Sequence, residues 1–290
     1  MEINETTVLD DRGFIEINGN ETQNFLQNIV TNDIQKLKED LTIFSSIFTP
    51  QGKYLYDFFI SKIENKYLLE CEKEIVTEII KTLNFYKLRS KIDLVDASKK
   101  YTTLVVNLEK FKEIKKNEKI KPVLIYVDPR NEKLGAKIIV ENTKIESLVK
   151  NHNLKKIDKK KYYENSFALG IPQINLWKLK DKIFGIENNL DELGGIDFKK
   201  GCYIGQENTS RIKLRKKLRR RILPINKVSG EIKENDVIKY KNNEVGKVMI
   251  DKPFPFALIK VVDPDIKEFN NIELECGKSK IKIIKPDWIA

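Results

Sequence analysis

The chain has 290 residues, of which 40% are hydrophobic and 33% charged, and Lys plus Arg (54) exceed Asp plus Glu (43), giving a net charge of +11. Such a composition folds, and the length suggests two structural units, or three small ones. No apolar run is long enough to span a bilayer, and the first residues lack the basic and apolar regions of a signal peptide, so the expectation is a cytoplasmic protein with no membrane partner. The three cysteines, Cys71, Cys202 and Cys276, are odd in number and far apart, which argues against a disulfide framework and a zinc site. With one histidine and too few thiols for a four-cysteine iron–sulfur cluster, no resident metal is expected. His152 lies in a polar stretch and reads as a surface residue.

Taken in chain order, residues 12–17 alternate like a half-buried strand, and Gly19 and Asn20 then punctuate before Phe25, Leu26, Ile29 and Val30 recur at helical spacing. Residues 49–52 form a turn, Thr-Pro-Gln-Gly, ahead of an apolar strand at 54–60 and a second at 67–71. Val76, Ile79, Ile80 and Leu83 make one helical face, and Ile92 and Leu94 alternate again. The same grammar returns: strands at 101–106, 123–127 and 136–140, a polar helical stretch, then a helix stopped near Leu169 by Gly170 and Pro172. Antiparallel strands mixed with helices point to an α+β fold. Beyond the basic run at 211–221, short β segments at 237–240, 245–250, 257–262, 272–276 and 281–284, separated by Gly, Pro, Asn and Asp, predict a small C-terminal β-barrel or sandwich. The expected division is therefore 1–215, an α+β region of two modules, and 216–290, the barrel.

Two segments carry chemistry. The first is Lys200-Gly201-Cys202-Tyr203-Ile204-Gly205-Gln206-Glu207, where a glycine lets the backbone bend ahead of a helix start. Helix amides and nearby cations favour a thiolate, and they favour an anionic ligand too. The alternative is a buried, inert cysteine, which is the reading adopted for Cys71 and Cys276 in their apolar strands. The second is the run at 211–221, with eight basic residues in eleven and no acid. It suits phosphates or carboxylates, with a solvated linker as the alternative.

The cysteine segment, the stretch at 185–199 leading into it, and Phe25-Leu26-Gln27, Thr31-Asn32-Asp33 and Thr49-Pro50-Gln51-Gly52-Lys53 together resemble YgfZ-type folate-binding proteins, relatives of the glycine-cleavage T-protein. The resemblance covers most of the first 225 residues. It implies T-protein-like antiparallel α+β modules around a central opening, followed by the small barrel, with tetrahydrofolate or a derivative as ligand. It implies further a role in assembling or maintaining iron–sulfur enzymes, including those that thiolate tRNA, so that the partners are reduced folate, iron–sulfur enzymes or assembly proteins, and tRNA. Cys202 and Lys200 are the expected catalytic residues. Asn32, Asp57, Tyr203, Gln206, Glu207 and Arg211 are the expected folate contacts, and Arg215, Arg219 and Arg220 the expected anion or RNA contacts. The chain departs from the T-protein where Ser166 and Ala168 replace an arginine and an acidic residue shortly before Gly170, removing the carboxylate that would hold a pterin. The alternatives are a folate-dependent aminomethyltransferase or demethylase, and an RNA-binding module.

Overall fold

The computed structural model describes residues 1–38, 41–116, 122–215 and 218–289. The elements run β1 (Glu5–Leu9), β2 (Arg12–Asn18), α1 (Thr22–Ile29), β3 (Thr42–Phe48), β4 (Tyr54–Ile63), β5 (Lys66–Glu72), α2 (Val76–Lys87), β6 (Asp93–Asp96), β7 (Tyr101–Val106) and α3 (Leu108–Lys116). They continue with β8 (Leu124–Val127), β9 (Ala136–Glu141), α4 (Ile145–Asn151), β10 (Lys155–Ile157), α5 (Lys159–Ala168) and α6 (Gln206–Leu214). The last six strands are β11 (Arg220–Ser229), β12 (Val237–Tyr240), β13 (Asn243–Ile250), β14 (Phe256–Lys260), β15 (Leu274–Cys276) and β16 (Ser279–Ile283). Among the described residues no helix is long and apolar enough to cross a membrane.

The chain packs as two compact units and passes between them several times. Unit 1 comprises Met1–Ile47, Asp57–Tyr162 and Leu193–Ile204; unit 2 comprises Phe48–Tyr56, Tyr163–Glu192 and the chain from Gly205 onward. The expected division at 215/216 falls beside Lys216 and Lys217, which lie outside the described residues.

Unit 1 contains two five-stranded sheets, β3-β4-β5-β2-β6 and β10-β1-β7-β9-β8. Their facing sides meet through aromatic pairs, Phe14 with Tyr101 and Phe59 with Tyr126. Between the sheets a charged group interrupts the apolar layer. Glu70 on β5 stands opposite Phe14 and Phe59 in the strand register. Its carboxylate accepts from Lys137 Nζ (2.8 Å), Arg12 Nε (3.1 Å) and the Tyr126 hydroxyl (2.8 Å). Burial alone would keep this carboxyl protonated, yet the two cations and the phenol hold it down to about 2. Burial pushes the Lys137 ammonium down to about 8, against the pull of Glu70. The Lys137 ammonium also sits 3.8 Å from the Phe59 ring centroid.

His152 is not at the surface: it is 2% exposed at the end of α4, and among the described residues neither ring nitrogen has a hydrogen-bond partner. Leu148, one turn earlier, is buried on the same face, so the expectation drawn from polar neighbours is corrected by helical spacing. Burial and the nearby Lys110 lower its pKa, which keeps the imidazole neutral.

Unit 2 contains the closed six-stranded barrel β11-β14-β13-β12-β15-β16, filled by Leu223, Ile225, Val248, Ile259, Phe269 and Ile281 among others. The α+β class and the C-terminal barrel are both as expected. The first barrel strand was hidden in the sequence because it begins inside the arginine run, at Arg220.

Candidate functional site

Cys202 is exposed, whereas Cys71 and Cys276 are buried. Burial pushes both of those thiols up, Cys276 to about 11, so neither offers a ready thiolate at neutral pH. The environment of Cys202 comes from how its segment is fastened on each side.

On the N-terminal side the fastening lies within unit 1. Thr31 Oγ1 donates to Gly195 O at 2.6 Å, and Asn32 Nδ2 donates to both Phe44 O and Gly194 O at 2.8 Å. The Asp197 amide donates to Thr31 O at 3.0 Å, and its carboxylate pairs with Lys36. Lys200 then turns inward, 7% exposed, and its ammonium donates to Gln27 O (2.8 Å), Val30 O (2.6 Å) and Asn32 O (3.0 Å). An ammonium has three hydrogens, and all three are used. Burial pushes the Lys200 pKa down to about 8, while Asp33 and Asp197 pull it back up. The three carbonyls at and beyond the C-terminal end of α1 need the protonated form. Gln27 braces the receiving end: its Nε2 donates to Asp33 Oδ1 and its Oε1 accepts from the Ile34 amide.

On the C-terminal side the fastening lies within unit 2. Gly205 (φ +83) and Gly52 (φ +81) approach each other so closely that a Cβ on Gly205 would lie 2.5 Å from Thr49 O and 2.9 Å from the Phe48 side chain. Only glycine tolerates both the positive φ and the contact. Asn208 Nδ2 donates to Gln51 O at 2.8 Å, and Thr209 Oγ1 donates to Gly205 O at 3.0 Å. Cys202 thus follows a lysine anchored within unit 1 and precedes a glycine anchored within unit 2, and among the described residues, chain neighbours aside, no heavy atom lies within 4 Å of a Cβ built on Gly201.

The other expected residues are distributed as follows. Asn32 is adjacent to Lys200, but its amide hydrogens are both engaged by backbone carbonyls, and its Oδ1 accepts from the Asp33 amide. Tyr203 is buried, with the Lys200 ammonium 5.2 Å from its ring centroid, and burial raises its pKa. Asp57 is a buried carboxylate of unit 1, close enough to Arg130 to raise that guanidinium's pKa behind the larger effect of Asp128. Gln206, Glu207 and Arg211 lie on α6 in unit 2, and Arg215 follows its last residue. Arg211 pairs with Glu207 at 2.7 Å on an exposed helix face. Arg211 and Arg215 border a shallow hollow with Phe184 and Asn208.

The basic run is less cationic than its sequence. Lys213 pairs with Asp191, Arg220 with buried Glu187 at 2.8 Å, and Arg221 with Glu192 at 2.6 Å. Together with Arg211 and Glu207, four of the eight basic residues carry a carboxylate partner. Arg215 and Arg219 form no ion pair among the described residues, and Lys216 and Lys217 lie outside them.

Near the departure from the T-protein pattern, Ser166 is buried, donating to Ile171 O (2.6 Å) and accepting from Gln173 Nε2 (2.9 Å). Phe167 packs on Phe254 and Phe256 beside it, and the void there is about 10 Å³, too small for a pterin. Among the described residues no group of three or more His, Cys, Asp or Glu could hold a metal ion.

The backbone superposes on the glycine cleavage system aminomethyltransferase T of Bartonella henselae with a TM-score of 0.73, over 98% of this chain and 86% of that one. This chain has the T-protein fold. At 11% identity the likeness concerns fold alone. No family model matches the chain. By sequence the chain is similar to proteins named iron-sulfur cluster assembly factor IBA57 homolog, mitochondrial. The Neurospora crassa protein is 27% identical over 286 residues (90% of this chain) and the Dictyostelium discoideum protein 28% over 251 (75%). The mouse IBA57 factor is 24% identical over 246 residues (79% of this chain). The matches span 60% and 61% of the length of the first two relatives. All three are mitochondrial by name, which overturns the cytoplasmic location expected from composition.

Proposed function

We propose that this chain acts in the assembly or maintenance of iron–sulfur proteins, with the Cys202 thiol as the group that meets the cluster or its protein client. The observation that carries the reading is an exposed thiol two residues after a lysine anchored by three backbone carbonyls. The names of the similar proteins support the process. One thiol is insufficient to hold a cluster that needs four ligands, and with the other two cysteines buried, the remaining ligands have to come from the client. The cluster is then cargo shared at Cys202. Lys200 takes a positioning role in this scheme, since its three hydrogens are engaged by carbonyls.

Reduced folate remains part of the proposal as a ligand. Of the residues expected to hold it, Asp57 has the right chemical type, a buried carboxylate, and it already interacts within unit 1. Asn32 does not fit, and Glu207 and Arg211 face each other. The T-protein fold carries no argument for aminomethyl transfer by this chain.

The test is complementation. In a strain lacking the protein, Cys202→Ser should fold with an unchanged thermal midpoint and fail to restore iron–sulfur enzyme activity. Full rescue by Cys202→Ser would reject the proposal.

A further inference from the structure

Unit 2 holds a hollow that the cysteine segment does not use. It encloses about 470 Å³, within the range of small-molecule sites. Its wall is apolar, built from Ile212 of α6, Leu223 of β11, Val261 and Val262 just after β14, and Ile266 and Ile289. Its mouth is charged, and the charges are not balanced. Three acids border it: Asp191 pairs with Lys213 and Glu192 with Arg221, while Asp265 accepts from the Lys267 backbone amide at 2.9 Å and keeps its charge. Arg221 is held a second time, by Asn189 Oδ1 at 2.9 Å. Two cations remain. Lys267 and Lys285 line the hollow and form no ion pair among the described residues.

Two unpaired ammonium groups beside an apolar wall favour a ligand with one negative end and an apolar body. Two ammonium groups against one uncompensated carboxylate, Asp265, leave the mouth with a net positive charge that favours an anion. The wall removes hydrocarbon from water at roughly 25 cal/mol per Å². We infer that this hollow binds a small amphipathic carboxylate, its hydrocarbon against Leu223, Val261 and Ile266 and its carboxylate between Lys267 and Lys285. The site is independent of Cys202, so its fate and that of the iron–sulfur reading are separable.

Calorimetric titration of the full chain with decanoate, decylamine and acetate tests it. Decanoate should bind at one molecule per chain, at least tenfold more tightly than decylamine, which has the body with the wrong charge, or acetate, which has the charge without the body. Two variants then dissect the site. Lys267→Ala with Lys285→Ala should weaken decanoate at least tenfold without strengthening acetate. Val262→Trp, at a position 57% exposed and therefore tolerant, should fill the hollow and abolish binding. Equal affinity for decanoate and decylamine, full decanoate binding in Val262→Trp, or no decanoate binding at millimolar concentration would each overturn the inference.

Discussion

Replacing Lys200 by methionine keeps the apolar stem and removes the ammonium that ties the cysteine segment to the end of α1. Three carbonyls, of Gln27, Val30 and Asn32, lose their donor at once. Each buried acceptor left without a partner costs about 1–3 kcal/mol, while the variant recovers part of the cost of burying an ammonium. The net expectation is a loss of about 3 kcal/mol, or a fall of roughly 5 °C in the thermal midpoint of a protein this size. Scanning calorimetry measures it, with Lys199→Met, at an exposed neighbour, as the control that should move within ~0.5 kcal/mol. A positioning role also predicts partial complementation by Lys200→Met at a growth temperature below its midpoint, where the segment is still docked. If Lys200→Met unfolds within a degree of the wild type, the clamp is not what holds the segment. If it is stable yet inert at every temperature, Lys200 acts on the substrate itself.

Glu70→Gln removes the carboxylate that pairs with both Arg12 and Lys137 in the buried seam, and should cost about 3 kcal/mol in urea unfolding; a loss below ~1 kcal/mol would contradict the account of the inter-sheet seam. Because this carboxyl is held at about 2 against 4.5 when free, it contributes stability that is full above pH 4.5 and lost as pH falls from there toward 2, and the variant should flatten that limb. His152 acts in a different window: its folded pKa lies below 6.5, so as pH falls below 6.5 the unfolded chain takes up a proton that the buried imidazole refuses, and stability drops. His152→Leu should remove that slope between pH 7.5 and 5.5, and an unchanged slope would assign it to other groups. For RNA, four paired cations in the basic run leave at most four for phosphates, so the log-affinity of tRNA should fall with log salt at a slope no steeper than about −3; a slope near −6 would mean that the ion pairs open on binding.

Periodicity made the sheets and the barrel legible, because strands such as β7, β9, β12 and β13 alternate or run apolar between turn residues. It failed where charge concealed structure. In the basic run no acid is present in sequence, yet Glu187, Asp191 and Glu192 come from a segment 22 to 33 residues earlier and meet it in space. That long-range neutralisation leaves no local trace. Lys200 was misleading for a related reason: a lysine beside a cysteine suggests electrostatic activation, and a lysine over nine-tenths buried is rare enough to be discounted. His152 was recoverable, since it follows buried Leu148 at the spacing of one helical turn. Glu70 was not, because its partners sit on three other strands.

The motif segments at the N-terminus acquire a physical meaning in this fold. The 25–27 and 31–33 segments are the receptor for residues 194–200, and the 49–53 turn is the receptor for the start of α6. None of these residues needs to touch a ligand for the pattern to hold, since each is fixed by a backbone carbonyl or a glycine contact that a substitution would break. The residues just before Cys202 are held within unit 1 and those from Gly205 on within unit 2, and Cys202 itself is exposed. A thiol on a free loop would lose conformational entropy whenever a client bound, at about 1–2 kcal/mol for each residue ordered. Anchoring Lys200 in advance reduces that cost, which matters most under the proposed role, in which the chain would supply a single ligand and its client the rest.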